Sequence, residues 1–137
     1  MKPLLTALPG LLILFLMSCN PLDYKDTAKK KAVKFQLEAF SAALKKYVAD
    51  TGEIPDEPCG LTSLVENCDS RQGWRGPYLS RLPQDPWGIQ YRYIIVDASN
   101  RIVELRSDGA DLGPGGTQLR HRNPIVLRES LLPNNGK

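Results

Sequence analysis

"VKFQLEAFSAALKKYVADTGEIP" (residues 33–55) carries the strongest secondary-structure signal in the chain. Val33, Leu37, Phe40, Leu44, Tyr47 and Val48 recur at spacings of three and four, the period that puts side chains on one face of an α-helix. Ala28, Ala32, Ala39, Ala42 and Ala43 raise helix propensity, and Lys29, Lys30, Lys34, Glu38, Lys45 and Lys46 fall off the stripe. The pattern predicts a helix from about Asp26 to Asp50, stopped by Gly52 and kept from resuming by Pro55. One stripe buries one face, so something flat must cover it.

The cover lies downstream. "YRYIIV" (91–96) and "RIVELR" (101–106) are rich in β-branched and aromatic residues and are separated by "DASN", which predicts a β-hairpin. "PIVLRESLL" (124–132) is a candidate edge strand, and "PNNGK" (133–137) reads as a loose end. Between helix and hairpin, residues 51–87 are punctuated by Gly and Pro, with a short helical turn expected in "LTSLVENC" around Leu61, Leu64 and Val65. So long a connection needs fixing to stay ordered. The expected class is α+β: one long N-terminal helix packed on a small antiparallel sheet, with a long pinned loop.

Ahead of the helix stands "LLILFLMSCN" (11–20). Its apolar run, Leu11 to Met17, is far shorter than the roughly 20 residues of a spanning helix. With Lys2 in front and small Ser18 behind, it fits a secretory signal. "LMSC" resembles the lipobox of bacterial lipoproteins, which implies that Cys19 becomes the first mature residue and carries acyl chains. Two or three such chains hold a protein at a membrane essentially permanently. The alternative is an ordinary cleaved signal in which Cys19 is incidental. With Cys19 lipidated, the other two of the three cysteines, Cys59 and Cys68, remain to form a disulfide in an oxidising compartment. That bridge is worth roughly 2–3 kcal/mol. A metal site is the rival reading, and two thiols without a neighbouring His make a poor one. The organisation is then a signal peptide at 1–18, a lipidated tether at 19–27, the globular domain at 28–116 and a tail at 117–137. Lys29, Lys30, Lys31 and Lys34 read first as a solvated helix face and second as a contact for anionic headgroups near the anchor.

Whole classes of function fall away. A formal charge of +3 with no aromatic RNA-binding motif or arginine run argues against nucleic acid. The single His, His121, sits between Arg120 and Arg122, and "GADLGPGG" lacks the Lys-Ser/Thr that completes a phosphate loop. No nucleophile elbow or zinc motif is present, so no enzyme is expected.

Three motifs in order carry a family resemblance: "ALKKYVADTGEIP", "WRGPYLSRLPQDPWGIQYRY" and "RIVELRSDGADLGPGG". Together, over roughly residues 28–116, they resemble the globular domain of the major pseudopilin, protein G, of type II secretion. "LPQDPWG" (82–88) is the most specific piece. Pro83 and Pro86 fix their own φ, and Trp87 brings a large aromatic surface, so the motif reads as a loop lock.

Two departures qualify the resemblance. Pseudopilins begin with a long apolar helical half bearing a Glu at the fifth mature position. Here Gly10 precedes Leu11, the fifth residue on is Phe15, and the apolar segment ends at Asn20. The family's loop also binds calcium through the Asp of Gly-Ala-Asp and acids beyond the double Gly. Asp111 matches the first, yet no acid follows Gly116 until Glu129. Calcium wants six to eight oxygens, so Asp108 and Asp111 are weak candidates, and Arg120 or Arg122 is expected to pair with Asp111 in place of the ion. No cofactor is expected beyond that weak calcium candidacy.

The resulting expectation is a lipid-anchored, non-catalytic protein of the bacterial cell envelope. Its partners would be the membrane, through acyl chains on Cys19, and protein components of a type II secretion or pilus-like apparatus. Asn20 after Cys19 points to the outer rather than the inner membrane, with the domain in the periplasm or at the cell surface. The rivals are a divergent pseudopilin that is a true fibre subunit, and a free-standing envelope binding lipoprotein.

Overall fold

A computed structural model describes residues 21–109 and 125–132, the first four by backbone alone. Helix α1 runs Pro21–Thr51, and the three strands are β1 (Arg92–Asp97), β2 (Ile102–Ser107) and β3 (Ile125–Ser130). The helix begins earlier than its apolar stripe suggests, because proline is well tolerated at a first helical position, where its missing N–H has no partner to lose. Residues 21–27, expected as a polar tether, are therefore helical. At the other end the Gly52 amide donates to the Val48 carbonyl (2.8 Å) and the Thr51 hydroxyl donates to the Tyr47 carbonyl (2.8 Å).

The strands form an antiparallel sheet in the order β1-β2-β3. β3 pairs along its whole length, Ile102 opposite Ser130 and Ser107 opposite Ile125, which makes β2 the central strand. Val103 and Leu105 of β2 are fully buried in one core with Val33, Leu37, Phe40, Leu44, Tyr47 and Val48 of α1, every member of the sequence stripe. Leu64 and Leu131 are buried in the same core. The interface is a helix laid across one face of a small sheet, and Lys45 on α1 pairs with Glu129 on β3 (2.7 Å) at its margin.

The long connection is held by more than the Cys59–Cys68 disulfide that closes its first part. The carbonyl of Leu64, at the end of a 3-10 turn (Gly60–Leu64), accepts from the amides of both Tyr78 (2.8 Å) and Leu79 (3.0 Å). Trp74 donates its indole N–H to the Ser63 carbonyl (2.8 Å), and the Tyr78 hydroxyl donates to Asp50 on α1 (2.9 Å). Tyr78 meets both Trp74 and Tyr47 edge-to-face. Arg71, with its side chain 17% exposed, gathers the carboxylates of Glu53, Asp56 and Asp69, and its guanidinium is held above its ordinary pKa chiefly by the bond to Asp56. Proline and glycine punctuation marked this region as loop, whereas its order comes from partners distant in the chain.

Burial pushes the phenols of Tyr47, Tyr78, Tyr91 and Tyr93 above their ordinary pKa. A phenol with a raised folded pKa contributes stability that is fully present below the unfolded value of about 10 and is lost as pH rises through the folded value. Denaturant midpoints are therefore expected to hold flat from neutral pH to about 9 and fall steeply above 10. Tyrosinate absorbance should appear together with unfolding. Tyrosinate from more than one of the five tyrosines, forming gradually in a still-folded chain, would contradict the burial described here, since Tyr24 lies outside these four.

Candidate functional site

"LPQDPWG" becomes a latch because of the residue between its prolines. Asp85 is 4% exposed, and one carboxylate oxygen accepts from the backbone amides of Trp87 (3.0 Å) and Ile89 (2.9 Å). The other accepts from the hydroxyl of Ser107 (2.7 Å), the last residue of β2. The backbone of the turn closes on itself, Asp85 N–H to Ile89 carbonyl and Gly88 N–H to Asp85 carbonyl, both 2.8 Å. Gly88 takes φ +82° there, a conformation that side chains disfavour. Gly109 packs so closely that an added Cβ would fall on the Asp85 carboxylate and 2.7 Å from the Trp87 ring. Outside the turn, the Lys29 ammonium of α1 lies 5.3 Å from the Trp87 ring centroid. One carboxylate thus joins the loop to the sheet, and the aromatic beside it joins both to the helix.

Asp108 is the second grip. It is 9% exposed and pairs with Arg92 of β1 (3.0 Å) and with Arg106 of β2. Those arginines stand directly opposite each other in the β1–β2 register, where like charges repel, and the carboxylate between them cancels the repulsion. The pair of grips, Asp85–Ser107 and Asp108–arginine, sets the position and direction from which the chain enters residues 110–124.

The sequence-derived site residues fall into two groups. Cys59 and Cys68 are brought together as a disulfide, and Asp108 is committed to two guanidinium groups. The positive charge next to this carboxylate comes from Arg92 and Arg106. Cys19, Asp111, Arg120, His121 and Arg122 lie outside the described residues, and with them the expected Asp111–arginine pair. Among the described residues no three His, Cys, Asp or Glu side chains converge on a possible metal position. Sequence reading missed Asp85, Ser107, Arg92, Arg106 and Arg71. A local signal existed only for Asp85, since an Asp two residues before a Trp-Gly turn favours side-chain capture of the following amides.

A second surface feature is an open groove of about 420 Å³ beside the disulfide. Its lining includes Glu57, Pro58, Thr62, Leu82, Pro83 and Tyr91.

The arrangement positions a loop on a helix–sheet layer. The family model for type II secretion system (T2SS) protein G matches residues 20–122. The chain belongs to that family. The type II secretion system core protein G of Pseudomonas aeruginosa is 34% identical over 96 residues, 67% of each chain. The Vibrio cholerae core protein G is 32% identical over 111 residues, covering 77% of this chain and 75% of that one. The crystal structure of the major pseudopilin from the type 2 secretion system of enterohaemorrhagic Escherichia coli superposes with a TM-score of 0.60 at 28% identity, over 78% of this chain and 92% of that one. The long helix on a three-stranded antiparallel sheet is thus the fold of a G-type pseudopilin head.

Proposed function

We propose that the chain is a lipid-anchored cell-envelope protein that presents a G-type pseudopilin head and serves type II secretion by protein contact, without catalysis. The observation that carries this reading is the junction at residues 17–25. A lipobox-like "MSC" at 17–19 is followed within two residues by Pro21, the start of a polar, lysine-bearing helix, where pseudopilins carry a long apolar one. Among the described residues no helix is long and apolar enough to cross a membrane. Residues 1–18 are then the signal, and Asn20 favours sorting to the outer membrane. The exposed flank of α1 and the groove beside the Cys59–Cys68 loop are the surfaces offered to secretion components.

The match to proteins named core protein G, and to a solved major pseudopilin over most of its length, equally favours a second reading, a fibre subunit. Intact mass of the membrane-extracted protein, with sequencing of its N-terminal peptide, separates the two. A chain beginning at a diacylated or triacylated Cys19 is expected. One beginning at an N-methylated Leu11 would establish the fibre subunit and end the lipoprotein reading. For the accessory role the check is cross-linking in cells. Recovery of no secretion component would leave a free-standing envelope lipoprotein.

A further inference from the structure

From the basic segment of α1, and resting on the proposed anchor at Cys19, we infer that residues 25–34 form an electrostatic collar that engages an anionic lipid surface. Lys25, Lys30, Lys31 and Lys34 are exposed, and Lys29 is half-buried against Trp87. At about 100° per residue these five positions spread over about two-thirds of the helix circumference, on both flanks of the buried Val33 side, so they are not one narrow stripe. Across residues 20–35 they stand against only two aspartates, and one of these, Asp26, pairs with Lys30 (2.7 Å).

The arrangement is unfavourable for an isolated helix. Lys25 and Lys29, and again Lys30 and Lys34, are like charges one turn apart, a spacing that destabilises helices. The last turn of α1, where the helix dipole would welcome cations, carries none. An external anionic surface relieves that repulsion. A single acylated residue leaves the head free to rotate about its attachment. A broad collar then gives attraction over a wide range of rotations, whereas a narrow stripe would give it over few. Along the axis Lys25 lies about 6 Å from Pro21, Lys34 about 20 Å and Lys46 about 37 Å. With a screening length of about 8 Å at physiological salt, attraction is strongest at Lys25 and Lys29 and fades towards Lys34.

The test uses the full processed chain on vesicles of phosphatidylcholine, with or without phosphatidylglycerol, treated with a neutral amine-acetylating reagent and read lysine by lysine by mass spectrometry. Lys25 should react roughly threefold more slowly on the anionic vesicles, with Lys30 and Lys31 slowed less, and all should recover in high salt. Lys45 and Lys46 on the same helix should react alike on both. Equal reactivity of the collar lysines on the two vesicle types would overturn the collar. Retention on phosphatidylcholine vesicles reports the acyl anchor separately. A chain held only by anionic vesicles at low salt keeps the collar and loses the anchor, and one held by neither loses both.

Discussion

Replacing Asp85 by alanine is expected to destabilise the domain by roughly 3 kcal/mol, because two backbone amides and a serine hydroxyl lose a buried acceptor at once. Domains of this size have about 5–15 kcal/mol in all, so the variant should remain folded at room temperature with a melting temperature lower by about 10–20 °C. Asp85→Asn keeps an oxygen for the amides of Trp87 and Ile89 and an amide that can face Ser107, and should lose less than half as much. Ser107→Ala removes one of the three bonds, at about 1 kcal/mol. The order Ala, then Asn, then the parent is the diagnostic outcome in thermal or denaturant unfolding. An Asp85→Ala chain melting within about 2 °C of the parent would mean that the latch does not hold the loop to β2. The lesion should also be local first. Hydrogen exchange is expected to quicken at Trp87, Ile89 and Gly109 before it does in α1, since the loop loses its link to the sheet while the helix keeps its apolar face.

The second large effect separates two phenylalanines on one helix. Phe40 is 1% exposed and meets the Tyr91 ring edge-to-face at 5.1 Å, whereas Phe35 is 73% exposed. Phe40→Ala should cost about 3–5 kcal/mol through lost burial and the cavity left between α1 and Tyr91. Phe35→Ala should change stability by no more than about 0.5 kcal/mol. Urea unfolding of the two variants, compared at equal slope, reads the difference directly. Comparable losses in both would show that α1 buries a different face from the one described.

The contrast between those residues was already visible in the chain. Phe40 lies on the three-and-four stripe with Leu37 and Leu44, and Phe35 does not. The hairpin was legible in the same way, within one residue of its observed limits, because strand alternation and turn chemistry are local properties. Local reasoning erred at the start of α1. The polar residues from Pro21 onward carry no apolar period, yet a helix once nucleated extends through any segment that does not stop it.

The latch was only half legible. Pro-Gln-Asp-Pro-Trp-Gly announced a fixed turn, and an Asp in that setting can cap the amides behind it. That its second oxygen reaches Ser107, 22 positions on, depends on where the end of β2 comes to lie. Arg92 and Arg106 became neighbours by register, and only then did Asp108 acquire two cationic partners. Arg71 gathers acids from 18 and 15 positions before it for the same reason. The sequence by itself determined the helix, its buried face, the hairpin and the family, since each rests on periodicity or on motifs read along the chain. The tertiary structure alone decided which charges meet and which carboxylates are used, because ion pairs and buried hydrogen bonds act over a few ångströms in space and leave no period in the sequence.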